Sequence, residues 1–152
     1  MELKNSKILV IGAAKSGVAA ALFLAGKGNE VILNEIKAQE EINPEIVAGL
    51  KKASVQLLCG QQPDIDSIRP QLIVPSPGVP LDIPPLKRAR ELGIPLWSEI
   101  ELGCRWTAAP IVAITGTNGK TTTTALIGRI MDEAGKNVFV GGNIGIPFVS
   151  KA

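Results

Sequence analysis

Histidine is missing altogether from these 152 residues. Any imidazole base, proton relay or imidazole metal ligand must therefore come from outside the chain. Cysteine occurs twice, as Cys59 and Cys104, without C-x-x-C spacing. Two free, buried thiols in a reducing cytoplasm are expected. No apolar run approaches the roughly 18–20 residues that a membrane span needs. The first seven residues, Met1 to Lys7, pass straight into a β-type run, without the pattern of a signal peptide. There is no excess of one charge: 16 basic and 14 acidic residues leave a net +2, so neither a nucleic-acid nor a membrane partner is expected. The densest basic cluster, Lys87-Arg88-Ala89-Arg90, is expected to be the solvated face of a helix. Internal repeats and low-complexity tracts are lacking too.

What is present is apolar residue in quantity. Hydrophobic residues make up 45% and charged residues 20%, enough for a packed core and against disorder. The most informative stretch runs from Ile111 to Thr124. A β-branched apolar run ends at Thr115, and a loop with Gly116 and Gly119 follows, then Lys120 and four threonines. Beyond them Thr122, Leu126, Ile130 and Ala134 fall at spacing four, with Ile127 and Met131 beside them, which predicts a helix. Strand, glycine loop and helix form the setting of a phosphate-binding loop. Glycines let backbone N–H groups close around phosphate oxygens, and the helix N-terminus favours negative charge. Lys120 would reach the β/γ-phosphates and the Thr121 hydroxyl would meet Mg²⁺. The longer P-loop pattern has a further glycine where Ile114 stands, so the loop here is the shorter Gly-x-x-Gly-Lys-Thr.

Upstream, the chain alternates. Strands are expected at Lys7–Ile11, Val31–Leu33, Val55–Leu58, Leu72–Val74 and Pro95–Trp97. Helices are expected at Val18–Ala25, Pro44–Lys52 and Pro84–Leu92, with a capping box at Ser98–Glu101 opening another to about Trp106. Such alternation predicts an α/β fold with a Rossmann-like, doubly wound parallel sheet. Ligands on these sheets collect at the strand carboxyl ends. Three loops fit that rule and would line one crevice: Gly12–Gly17, Asn34-Glu35 and Ser76-Pro77-Gly78. In the first loop Ala14 occupies the middle glycine position of the dinucleotide fingerprint, which speaks against NAD. Glu35 sits where an acidic residue often meets a ribose.

A boundary is expected near Thr107–Pro110. It makes residues 1–107 a complete first domain and residues 108–152 the truncated start of a P-loop domain. After the predicted helix only a strand at Asn137–Val140, a loop to Pro147 and a helix start at Phe148 remain. A P-loop domain needs further strands, and usually an acidic Mg²⁺ ligand on one of them.

Thr115-Gly-Thr-Asn-Gly-Lys-Thr-Thr-Thr-Thr124 together with Gly141-Gly-Asn-Ile-Gly-Ile-Pro147 resembles the Mur ligases of peptidoglycan synthesis. A nucleotide-type loop almost at residue 1, Ser76–Pro80, Ser98–Arg105 and Asn118 in the phosphate loop are similar to the D-glutamate-adding branch of that family. The resemblance implies an ATP- and Mg²⁺-dependent ligase acting on UDP-N-acetylmuramoyl-L-alanine and D-glutamate through an acyl phosphate. It implies a cytoplasmic monomer. Gly116, Thr117, Asn118, Gly119, Lys120, Thr121 and Thr122 would hold ATP, with Lys120 catalytic and Thr121 toward Mg²⁺. Ala14, Lys15 and Ser16 would face the uridine diphosphate. Glu35, Ile36 and Lys37 would frame the uracil, and Ser76, Pro77 and Gly78 would close over it. Asn143 would reach the substrate from the second domain. Four other readings stay open on the sequence: another Mur ligase of the same pathway, a folate-polyglutamate-type ligase, an NAD-dependent dehydrogenase domain and a non-catalytic nucleotide- or UDP-sugar-binding module.

Overall fold

The computed structural model describes residues 3–142 and 145–152. Four strands, β1 (Lys7–Ile11), β2 (Glu30–Glu35), β3 (Gln56–Cys59) and β4 (Leu72–Pro75), form one parallel sheet in the order β3-β2-β1-β4. Leu96 adds a single parallel bridge to Ile73 beyond β4, in place of the strand expected at Pro95–Trp97. The helices are α1 (Lys15–Gly26), α2 (Pro44–Lys52), α3 (Ile65–Ile68), α4 (Pro84–Glu91), α5 (Glu99–Trp106) and α6 (Lys120–Glu133). Short 3₁₀ turns lie at Gln39–Glu41 and Phe148–Lys151.

Alternating strand residues feed two cores. Ile8, Val10, Val31, Leu33, Leu72 and Val74 join Ala20, Ala21 and Leu24 of α1, with Leu102 of α5. On the opposite face Leu9, Ile11, Ile32 and Ile73 join Ile65, Leu86 and Ala89 from α3 and α4. A parallel sheet covered on both faces demands such near-continuous apolar strands. Each fully buried leucine or isoleucine contributes about 1.5–3 kcal/mol.

Local chemistry sets the helix ends. Asn43 caps α2 by accepting the Glu45 N–H at 2.8 Å, and Pro44 occupies the first turn. Ser98 caps α5 through the Glu101 N–H at 3.1 Å. Only half of the expected capping box forms, because the Glu101 carboxylate turns to Arg105 at 2.8 Å. Gly28, at φ +80°, lets the chain turn out of α1 toward β2.

The second region departs from expectation. Neither Ile111–Thr115 nor Asn137–Val140 is a strand. A strand exists only when a neighbour completes its hydrogen bonds, and among the described residues none pairs with either segment. The helix between them needs no such partner and forms as α6. Phe148–Lys151 is a 3₁₀ turn where a helix start was expected. The expectation of two buried thiols fails at both: Cys59 is half-buried at the end of the edge strand β3, and Cys104 is exposed because α5 turns Leu102 and Gly103 inward and Cys104 outward.

Candidate functional site

The carboxyl ends of β1, β2 and β4 meet in one crevice. Gly12 follows β1 at φ +96°, and its N–H donates to the Asn34 carbonyl at 2.8 Å. A Cβ there would lie 3.1 Å from Ser76 and Val79 side-chain atoms. Gly17, in the first turn of α1, packs against the Gly12 carbonyl and the Ser76 hydroxyl so closely that a Cβ would overlap both. These two glycines fill the tight-turn and close-packing positions of a nucleotide-binding βα unit. Between them Ala14 has extended backbone (φ −72°, ψ 172°), which any residue adopts, and is exposed. Lys15 is exposed beside it and Ser16 is half-buried.

Glu35 ties the first two loops together. One carboxylate oxygen accepts the Ala13 N–H at 2.7 Å and the other accepts the Lys37 N–H at 3.2 Å. The side chain is thus held against the first loop with Ile36 and Lys37 exposed after it. Buried Asn34 donates to the carbonyls of Leu58 (2.9 Å) and Gln61 (2.8 Å), which fixes the exit of β3. Ser76 is buried and donates its hydroxyl to the Gly12 carbonyl at 2.9 Å. Pro77 and Gly78 stand exposed above it in a turn closed by the Val79 N–H to the Ser76 carbonyl. All three sequence-predicted loops therefore converge. The start of α1 carries no side-chain cap and no acidic residue in its first turn, which leaves its amides free for an anion. Cys59 lies in register with Glu35. Burial first, then the charges of Glu35 and Glu40, pushes its thiol up, so it is a poor nucleophile.

The phosphate loop is shaped independently. Gly116 (φ +146°) and Gly119 (φ +75°) take conformations that favour glycine. Gly119 is the N-cap of α6, again without a capping side chain or a first-turn acid. Lys120 folds its ammonium back onto the carbonyls of Gly116 and Thr117. Thr117, Asn118, Thr121 and Thr122 are exposed around this mouth, and Thr124 donates its hydroxyl to the Lys120 carbonyl at 2.7 Å. Free amides, one ammonium and a hydroxyl suit a phosphate chain. Thr121 would offer a bound Mg²⁺ one hydroxyl oxygen. Among the described residues no three Cys, Asp or Glu side chains cluster as metal ligands. No hydrogen bond among the described residues links this loop to the first crevice. Asn143 lies outside the described residues.

Two features escaped the sequence. A groove of about 580 Å³ runs along α1, with Lys15 and Leu22 on one wall and Gly145–Pro147 on the other. The second is Glu99, a buried carboxylate that accepts the Val149 N–H at 2.6 Å. In sequence it reads only as an acidic residue in the first turn of a helix.

Comparison with known proteins identifies the family. A family model described as Mur ligase MurD-like, N-terminal domain, matches residues 6–98, and the Mur ligase middle domain matches residues 114–151. UDP-N-acetylmuramoylalanine–D-glutamate ligase of Acidobacterium capsulatum is 45% identical over 150 residues, covering 99% of this chain and 32% of that protein. The protein of that name from Geobacter sp. strain M21 is 47% identical over the whole chain, covering 33% of its own length. The chain thus spans about a third of the curated relatives it matches. Among solved structures, UDP-N-acetylmuramate-alanine ligase MurC of Thermotoga maritima aligns at TM-score 0.55 with 28% identity, over 90% of this chain and 32% of that one.

Proposed function

This chain belongs to the Mur ligase family, and on that premise we propose that it supplies the nucleotide-substrate crevice and the ATP loop of a ligase joining D-glutamate to UDP-N-acetylmuramoyl-L-alanine. The observation that carries the reading is the pairing of two anion-ready helix starts, α1 and α6, behind two different glycine loops in one chain. Residues 1–107 are assigned the uridine nucleotide and residues 108–152 the ATP phosphates.

In the proposed reaction a substrate carboxylate oxygen attacks the γ-phosphorus of ATP, the bridging P–O bond breaks, and ADP leaves. The amine of D-glutamate then attacks the acyl carbon, loses a proton and expels phosphate. A carboxylate is a poor acyl donor, and phosphorylation turns its oxygen into a leaving group. Lys120 and the amides of Gly119–Thr122 hold the negative charge of the phosphoryl group in flight. Mg²⁺ would supply further charge neutralisation, with the Thr121 hydroxyl as its protein ligand. In the crevice, Ala14, Lys15 and Ser16 face the diphosphate, Glu35 with Ile36 and Lys37 frames the uracil, and Ser76, Pro77 and Gly78 form the cover. Asn143 is assigned to the substrate from the second domain. The enzyme is placed in the cytoplasm as a monomer, acting on small molecules without a nucleic-acid or membrane partner.

Titration of the 152-residue chain with UDP and with NAD, followed by NMR, tests the ligand class. UDP should shift Ser16, Glu35 and Gly78, and NAD should leave them in place. Ala14 crowds the close approach that a dinucleotide pyrophosphate requires. Tighter binding of NAD would refute the uridine assignment and favour a dehydrogenase domain.

A further inference from the structure

Among the described residues Glu99 is the one charged side chain in the buried set, 4% exposed. A carboxylate in such a place is costly unless it is hydrogen-bonded. Its partner is a backbone group fifty residues later, the N–H of Val149 at 2.6 Å. The first turn of α5, with Ser98 as its cap, favours an anion at this position. Around this bond the chain is keyed in place. The Val149 side chain is fully buried in the same core as Leu102 and Trp97. The Phe148 ring covers Gly103, where a Cβ would approach Cε1 to 2.8 Å.

Just before this anchor the Gly142 N–H donates to the Ile146 carbonyl at 2.9 Å. Gly145–Pro147 faces Lys15, Val18 and Leu22 of α1 across the groove of about 580 Å³, and Lys15 is the residue this groove shares with the first crevice. Gly145–Pro147 is therefore held beside α1 by the residues that follow it, which are fixed to α5.

We propose that Glu99 is a positioning residue: by holding the Val149 amide it fixes Gly145–Pro147 beside Lys15 at the start of α1, so that a substrate in the first crevice is gripped from both sides. The substrate part rests on the ligase reading above, whereas the anchoring part does not.

Two measurements separate them. In the 152-residue chain, Glu99→Leu should speed hydrogen exchange at Gly142 and Val149 roughly tenfold or more while the amides of β1–β4 keep their protection. Glu99→Gln, whose amide oxygen accepts the same bond, should restore the slow exchange. Gly103→Ala, which displaces Phe148 without touching Glu99, should speed Gly142 as well and serves if the leucine variant does not fold. In the longer enzyme, loss of the acceptor should raise KM for the uridine-nucleotide substrate roughly tenfold, with kcat and KM for ATP within about two-fold. Unchanged exchange at Gly142 in these variants would overturn the anchoring. An equal loss across kcat and both KM values, or a glutamine variant no better than leucine, would overturn the positioning role. Wild-type enzyme without ligase activity would remove the substrate role, and the exchange result would still decide the anchor.

Discussion

Gly17 shows how little freedom a single position can have. A Cβ on it would overlap the Gly12 carbonyl and the Ser76 hydroxyl, so α1 can start against β1 only if no Cβ intervenes. Gly17→Ala should destabilise the chain by about 1–3 kcal/mol, the usual cost of overpacking, seen as a lower urea midpoint with unchanged slope. A variant as stable as wild type would mean that the helix start shifts without penalty. Lys120 is constrained in the opposite sense. Its ammonium is parked on loop carbonyls, and on the proposed reading it leaves them to meet a phosphate. In the longer enzyme, Lys120→Ala should lower kcat by roughly 10²–10⁴, as expected on losing a preorganised electrostatic donor. Turnover within a few-fold of wild type would remove Lys120 from the chemistry. Both residues stand out in the sequence because glycine and lysine at those spacings carry a specific geometric reason. Glu99 does not, since its meaning lies in a contact fifty residues away.

Among the elements, the first four strand positions and the long helices were legible because their apolar periodicity is what the two-faced core requires, whereas Pro95–Trp97 forms only the bridge at Leu96. The short helix α3 was not, since four residues are too few for a period. It is held by its ends: Asp64 accepts the amides of Asp66 and Ser67, and Asp66 pairs with Arg88 of α4 at 2.8 Å. Asp64 is kept below its usual value of 3.8 first by the Ser67 hydroxyl bond, and Asp66 first by the bond from Arg88. A carboxyl depressed in the folded state lends stability above its unfolded pKa and loses it as pH falls through the folded one. Asp66→Asn should therefore lie below wild type in urea midpoint near neutral pH, and the gap should close on acidification below about pH 4. A gap that persists unchanged in acid would contradict the ion-pair origin. The predicted strands at Ile111–Thr115 and Asn137–Val140 failed for a related reason. Strand identity belongs to the pair, whereas a helix such as α6 closes its own hydrogen bonds.

At the scale of the whole molecule, α6 leaves Leu126 and Ile130 more than half exposed, while the final turn is sunk into the first core. The end of the chain is thus better anchored than the phosphate helix before it. Truncation after Thr107 removes fully buried Val149 and should lower stability by about 2 kcal/mol or more in chemical denaturation. Equal stability of the 107- and 152-residue chains would show that the final turn contributes nothing. The 152-residue chain is not expected to ligate by itself, since it spans a third of its relatives, and a coupled assay for ADP release checks this. The order β3-β2-β1-β4 carries one more consequence, for synthesis. The strand made first, β1, is an inner strand, and its second neighbour is encoded only at Leu72–Pro75. During translation, β1 and β2 can zip together while the other flank of β1 waits as an open apolar edge for some forty further residues of nascent chain. A ribosome paused before Leu72 thus holds out a sticky half-sheet, and holdase chaperones should crosslink there until β4 emerges and shuts it.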